Sequence, residues 1–303
     1  LPKLRISVVQ YLNTSPLVWG FTHGLLAGKY DLSFTVPSQC AEALRAGDVD
    51  IAIIPAIEYQ RIDDLVILPD LAIASKRRVR SLLLISKAPI DETKSIALDR
   101  SSRSTQALTK ILCARHWRIA PQFQEMAPDL GVMLAANDAA LLIGDPALRV
   151  SVAIEPSEQL DGAIVCDAAT LGIANTDKLY VHDIVEQWRA MTGLSAVLAV
   201  WAARPAVATP EVVADFHASR AFGLLNLPEL CDAAAAQLQL PAPALQSYLT
   251  DNIDFTLDTE NVAALTRFFV ESHALDLTPA SKPVLLAPGP TRLVLEPLVA
   301  KPR

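Results

Sequence analysis

The sequence predicts an α/β protein of two lobes around a cleft, each lobe a mostly parallel sheet flanked by helices. Strand-turn-helix units repeat through roughly the first 60 residues, the pattern of parallel strands covered by helices. Two long apolar strands, "VRSLLLIS" at 79–86 and "SAVLAVWAARPAV" from Ser195, are placed to carry the chain out of one sheet and back. The length of 303 residues exceeds the roughly 100–200 of one ordinary domain. The expected division is therefore a first lobe from 1–88 and 195–303, the latter including a C-terminal extension, with a continuous second lobe at 89–194.

Taken in order, "LRISVV" is a strand, "YLNTSPL" a polar turn, and a helix begins at Ser15 or Pro16, where proline suits a first turn. "DLSFTV" is a second strand ending at Pro37. It is followed by a short helix with Ser38 as its N-cap and Gly47 beyond its end. "DIAIIPAIEYQRI" is an apolar strand running into a helical turn. "SIALDRSSRSTQALTKILCARHW" repeats the plan in the second lobe, "DAALLIGDPAL" places a strand before Gly144 and Asp145, and "LYVHDIVEQWRAMTG" adds a short strand and a helix. From Thr209 three helix-forming stretches cover the first sheet or the back of the cleft. The Pro- and Leu-rich tail from Thr278 has no period; an arm, an edge strand or an ordered extension would fit it.

Composition removes several function classes. A net charge of −7 offers no contiguous basic surface for nucleic acid. The short run Lys76, Arg77, Arg78, Arg80 reads as a solvated turn or an anion-steering rim. Mean hydropathy is +0.31, yet no apolar run approaches the roughly 18–20 residues that span a bilayer, and the opening residues run straight into a strand without a leader pattern. A cytoplasmic location is the expectation. Cys40, Cys113, Cys166 and Cys231 form no CxxC pair and read as reduced, buried thiols. The five histidines are dispersed without HExxH, so no metal is expected. GxGxxG, GxxxxGK[ST] and GxSxG are absent, so nicotinamide, nucleotide-phosphate and nucleophile-elbow chemistry recede.

Ligands of open α/β sheets lie outside the carboxyl ends of the strands, and four polar turns meet that condition. Asn13 offers an amide, and Thr14 and Ser15 offer hydroxyls and the first amides of a helix. Ser38 with Gln39 sits at a second helix start, Ser81 at the crossing, and Ser101, Ser102, Arg103, Ser104 and Thr105 follow Asp99 into a third helix. Helix N-termini with hydroxyl donors suit carboxylates, and Arg103 could add a bidentate clamp. Ordinary N-capping explains any one turn; their shared position points to a small anion held in the cleft. Tyr11 and Trp19 are candidate aromatic walls, Trp117, Trp188 and Trp201 read as core, and His23 as packing. Glu58 is the nearest carboxylate base, with a helix N-terminal charge as its plain reading.

The order of elements resembles the type II periplasmic-binding-protein fold, which serves transport receptors, regulators and enzymes alike. Within it, "YLNTSPL" at 11–17, "PSQCAEALRAGDVDIAIIPAIEY" at 37–59, "VRSLLLIS" at 79–86, "LDRSSRSTQAL" at 98–108, "DAALLIGDPAL" at 138–148, and Trp188 with "TGL" and "VLAVW" resemble the chorismate dehydratases of the futalosine route to menaquinone, the MqnA family. The likeness spans about residues 4–270. "DRSSRSTQ" and Ser195 depart from the usual family pattern.

The resemblance implies metal- and cofactor-free loss of water from chorismate, a dianion, giving 3-[(1-carboxyvinyl)oxy]benzoate. It implies a catalytic role for Asn13 in orienting the departing hydroxyl, with the substrate's own enolpyruvyl carboxylate or Glu58 as proton acceptor. It also implies substrate contacts from Tyr11, Thr14, Ser15, Ser38, Gln39, Ser81, the 101–105 turn and Asp145. A non-catalytic organic-anion binding protein is the alternative, since its cleft would need the same donors. The pathway's later synthase acting on cyclic dehypoxanthinyl futalosine would demand a different first turn.

Overall fold

Apolar residues buried on both faces build the centre of each sheet. The computed structural model describes residues 2–155, 158–160, 162–279 and 281–289, with 158–160 described by backbone alone. β1 (Arg5–Val9) leads through a 3-10 turn, Leu12–Thr14, into α1 (Ser15–Thr22); β2 (Asp31–Thr35) leads into α2 (Pro37–Ala46). β3 (Ile51–Pro55), buried throughout, continues into the turn Ala56–Gln60, and β4 (Val66–Ser75) completes the outward path. The second lobe holds β5 (Leu82–Ser86), β6 (Ser95–Asp99), α3 (Arg103–Leu112), β7 (Gln122–Met126), α4 (Leu130–Ala136), β8 (Ala139–Ile143), α5 (Gly144–Ala153), β9 (Glu158–Leu160), β10 (Ala163–Asp167), β11 (Lys178–Asp183) and α6 (Ile184–Thr192). β12 (Ala196–Ala203) returns to the first sheet, followed by α7 (Pro210–Leu225), α8 (Leu227–Leu238), α9 (Ala242–Ser247) and α10 (Thr259–Ala274).

The strand orders are β2-β1-β3-β12-β4 and β7-β6-β8-β5-β11-β10-β9. Parallel pairs join β1 to β2 and β3, and β6 to β7 and β8; the other pairs are antiparallel. Most strands still point the same way, but β12 in the first sheet and β5 and β10 in the second run against their neighbours and make both sheets mixed. β5 and β12 are the strands entered at the two crossings. The chain enters β5 directly from β4 through residues 76–81 and enters β12 from α6.

The crossing itself is 76–81, because Leu82–Ser86 already pairs with β8 and β11. Lobe 1 therefore ends several residues before the expected position 88. An apolar run of this kind reads alike in either lobe, which is why its pattern could not place the boundary. Buried Asp183 braces the crossing: one carboxylate oxygen accepts the N–H groups of Val79 (3.0 Å) and Arg80 (2.6 Å), and the other caps α6. In the basic run Arg77 is exposed, while the other three residues are paired. Lys76 pairs with Asp258 at 2.6 Å, and Arg78 and Arg80 pair with Glu155 at 3.2 and 2.6 Å.

A single apolar core runs from the first sheet across the lobe junction to α3 and α6, and it contains Trp188 and Trp201; a smaller one lies under α4 and α5. α1 and α7 meet at two glycines. A Cβ on Gly223 would lie 2.0 Å from the Pro16 carbonyl oxygen, and one on Gly20 would lie 2.5 Å from Ser219 Cα. That close approach fixes the helix that follows the Asn13 turn.

Residues 281–289 bind the outer edge of β4, where Ile67 N–H donates to Leu285 O and Ala287 N–H to Ile67 O, both at 2.8 Å. They cover an edge that would otherwise present unpaired backbone groups. The remainder of the tail lies outside the described residues. Among the described residues no helix is long and apolar enough to cross a membrane, and no group of His, Cys, Asp and Glu is arranged to hold a metal.

Candidate functional site

The turn after β1 opens the site. Pro16 in the first turn of α1 sets the helix start, so residues 11–14 must turn at the carboxyl edge of the sheet. Tyr11 and Asn13 come to face the second lobe. Asn13 is only 7% exposed, and Thr14, at 1%, brings its hydroxyl 3.5 Å from Asn13 Oδ1.

The opposite wall is the start of α3. Ser102 is its N-cap: its Oγ accepts Thr105 N–H (3.4 Å) and donates to Thr105 Oγ1 (2.8 Å). The amides of Arg103 and Ser104 at a helix start have no carbonyl one turn behind them. Ser104 Oγ accepts Ile57 N–H at 3.1 Å, which leaves its own proton free to donate. Behind them lies Asp99, fully buried, with Oδ1 accepting both the N–H (2.9 Å) and the hydroxyl (2.6 Å) of Ser101. Burial holds the Asp99 carboxyl above its usual range. Since Ser101 spends its proton on Asp99, it can only accept from Tyr11, whose hydroxyl lies 3.4 Å away.

Between these walls lies a cavity. Its polar lining is Tyr11, Asn13, Ser102, Ser104 and Thr105, and its apolar lining includes Val9, Ile73, Leu82, Ile143 and Leu198. Among the described residues that line it there is no carboxylate, imidazole, amine or guanidinium. The cavity offers hydroxyl and amide donors, the positive end of α3 and an apolar floor, which suits a flat organic anion.

Contacts across the cleft hold the lobes together. Leu12 N–H donates to Asp145 Oδ1 at 3.1 Å, and Ser38 N–H donates to Ser101 O at 3.2 Å. The Tyr11 ring lies against Gly144, where a Cβ would come within 2.7 Å of it. Gly144 has φ +61°, a conformation that favours glycine. Burial pushes the Asp145 carboxyl up to about 6.

Several expected assignments are corrected by this geometry. Glu58 is no poised base: it is fully buried, receives Arg45 (2.5 Å) and Arg103 (3.0 Å) on one oxygen and Arg61 (2.8 Å) on the other, and is not part of the cavity lining. Arg103 is no free clamp, because it spans Glu58 and Glu42, the latter at 2.6 Å. Ser38 is not an N-cap; Val36 holds that position, Pro37 enters the first turn, and the Ser38 amide is spent on Ser101. Gln39 is exposed and bonded through Oε1 to Thr35. Ser81 is fully buried, accepts the Tyr248 hydroxyl at 2.8 Å and is not among the described lining residues of the cavity. Asp145 presents a carboxylate to a backbone amide of the other lobe, whereas an anionic substrate would repel it. Thr14 and Ser15 build the Asn13 turn. His23 stacks on Trp19, with ring centroids 3.6 Å apart.

Tyr248 was missed by sequence reasoning. It is buried beside Ser81 and interacts with the Asn13 side chain, and burial raises its phenol above the usual range. No local signal marks it, since it sits in a helical stretch 167 residues from Ser81.

Comparisons with known proteins agree with this architecture. A chorismate dehydratase of Thermus thermophilus is 28% identical over 280 residues, covering 92% of this chain and 98% of that protein. Among solved structures, protein AF1704 from Archaeoglobus fulgidus matches with a TM-score of 0.68 at 19% identity, covering 91% of this chain and 98% of that one. The periplasmic aliphatic sulphonate binding protein SsuA of Escherichia coli matches with a TM-score of 0.60 at 17% identity, covering 98% and 100%. At those identities the likeness establishes the fold alone, a two-lobed α/β fold resembling that of periplasmic binding proteins. Residues 4–274 match the family model described as menaquinone biosynthesis, and the chain belongs to that family.

Proposed function

We propose that this protein is a chorismate dehydratase, a metal-independent lyase that removes water from chorismate to give 3-[(1-carboxyvinyl)oxy]benzoate for menaquinone biosynthesis. Family membership and the Thermus relative support the reaction. The observation that carries the mechanism is a cavity lined by neutral donors and apolar groups, with no carboxylate, imidazole, amine or guanidinium among its described lining residues. Chorismate brings two carboxylates and a ring one elimination away from aromaticity. Hydroxyls of Ser104 and Thr105, the latter oriented by the Ser102 hydroxyl that donates to it, and the start of α3 are suited to one carboxylate.

The reaction breaks the ring C3–H and C4–O bonds. The C3–H electron pair becomes the new ring double bond, and the C4 oxygen leaves with the bonding pair and takes up a proton as water. With no carboxylate, imidazole or amine among the described lining residues, the acceptor of the C3 proton is the enolpyruvyl carboxylate of the substrate itself, which returns that proton to the departing C4 oxygen to complete the water. Asn13 donates its amide N–H to the departing oxygen, where negative charge develops.

The same cleft would serve a non-catalytic anion-binding protein, the second reading, which the fold alone permits. The four cysteines are free and buried, in keeping with a reducing, cytoplasmic compartment. Purified protein incubated with chorismate alone is expected to yield a benzoate-type product lighter by one water, followed by absorbance and mass spectrometry. Saturable binding with chorismate recovered unchanged would contradict the proposal and favour the second reading.

A further inference from the structure

We infer that Asp145 is a positioning residue: its carboxylate clasps the backbone of the Asn13 turn across the cleft and so sets the place of the Asn13 amide. The inference rests on the proposed dehydration for its kinetic consequence and on geometry for the clasp. Tyr11, Leu12 and Asn13 belong to the first lobe and Asp145 to the first turn of α5 in the second. Leu12 N–H, immediately before Asn13, has Asp145 Oδ1 as its acceptor at 3.1 Å.

The surroundings leave this contact little freedom. Gly144 lets the Tyr11 ring lie directly on the backbone that leads into Asp145, and the Gly144 amide is tied to Ser81 O at 2.8 Å. Ser81 in turn receives Tyr248, which interacts with the side chain of Asn13. Asn13 is thus located twice from outside its own turn, through the backbone of the adjoining Leu12 by Asp145 and through its side chain by Tyr248. A carboxylate is poorly suited to touch a dianionic substrate, but it is a strong acceptor for a backbone amide at a lobe junction. Without it, the Leu12 N–H would lose its partner on closure and the turn would be free to shift. A displacement of about 1 Å in a group that meets the reacting atoms can cost roughly a hundredfold in rate.

The test compares the wild type with Asp145→Ala and Asp145→Asn, the latter keeping an oxygen that can accept from Leu12. Asp145→Ala is expected to lower kcat roughly tenfold to a hundredfold with KM changed by less than about threefold, because the donors on α3 are untouched. Asp145→Asn is expected to recover most of that loss. Hydrogen exchange reads the clasp directly. The Leu12 amide should be protected in the wild type and in Asp145→Asn, and should exchange at least about tenfold faster in Asp145→Ala, while the amides of β1 are unchanged.

A folded Asp145→Ala with wild-type kcat, an Asp145→Asn as impaired as Asp145→Ala, or an unprotected Leu12 amide in the wild type would each overturn the inference. The last needs no variant, so it decides even if Asp145→Ala fails to fold. If the wild type does not convert chorismate, the activity reading falls, and the exchange measurement still judges the clasp.

Discussion

Asn13→Ala is expected to fold normally and to slow the chemical step roughly a hundredfold to a thousandfold at a saturated site, the usual loss for one donor aimed at developing charge. Asn13 is 7% exposed and lines the cavity, and the backbone of the preceding Leu12 is held by Asp145 independently of the amide, so the turn survives its truncation. Single-turnover rates at saturating chorismate, with binding measured separately, distinguish a chemical defect from weak binding. Asn13→Asp should be at least as slow and should also bind more weakly, because it places negative charge beside a dianion. Wild-type single-turnover rates in the alanine variant would remove Asn13 from the mechanism.

Glu58→Gln should produce the opposite pattern, a large loss of stability with turnover retained. Removing the charge leaves Arg45, Arg61 and Arg103 gathered around a neutral group. Breaking a buried ion pair from one side costs about 3–5 kcal/mol. The lower end applies because the arginine side chains are 37, 31 and 28% exposed and water screens part of their repulsion. About 3 kcal/mol corresponds to a fall of roughly 5–10 °C in Tm for a chain of this size. Below that temperature kcat should stay within about threefold of wild type, whereas loss of a general base would cost roughly 10²–10⁴. Calorimetry and steady-state kinetics on the same preparation check both halves.

Glu58 shows why one part of the site was legible in the sequence and another was not. A carboxylate just beyond an apolar strand occupies the place where many catalytic acids sit, and only Arg61, three residues on, is visible locally as a partner. Arg45 lies on α2 and Arg103 on α3, and folding alone reveals that they converge on one carboxylate. The Asn13 turn was legible for the opposite reason. An apolar strand, a polar cluster and Pro16 at a helix start are consecutive in the chain, and the physics that builds the turn is local.

The same distinction runs through the fold. β1, β2, β3, β6, β8, β11 and β12 carry apolar runs bounded by turn residues and were readable. β7, "QFQEM", is an edge strand with most of its residues exposed, so its sequence carries no buried face to announce it. The strand directions at the crossing, and the role of Tyr248, depend on which sheet each segment joins.

The central claim is that the protein holds the substrate and orients the leaving oxygen, while the substrate supplies its own base. A chorismate analogue carrying a methyl ester on the enolpyruvyl carboxylate tests this most directly, with the ring carboxylate left intact. At concentrations where titration shows the site to be filled, elimination should fall by roughly 10²-fold or more, the usual contribution of a positioned base. Elimination of water from the bound ester at the rate of chorismate would contradict the account and require a base supplied by the protein.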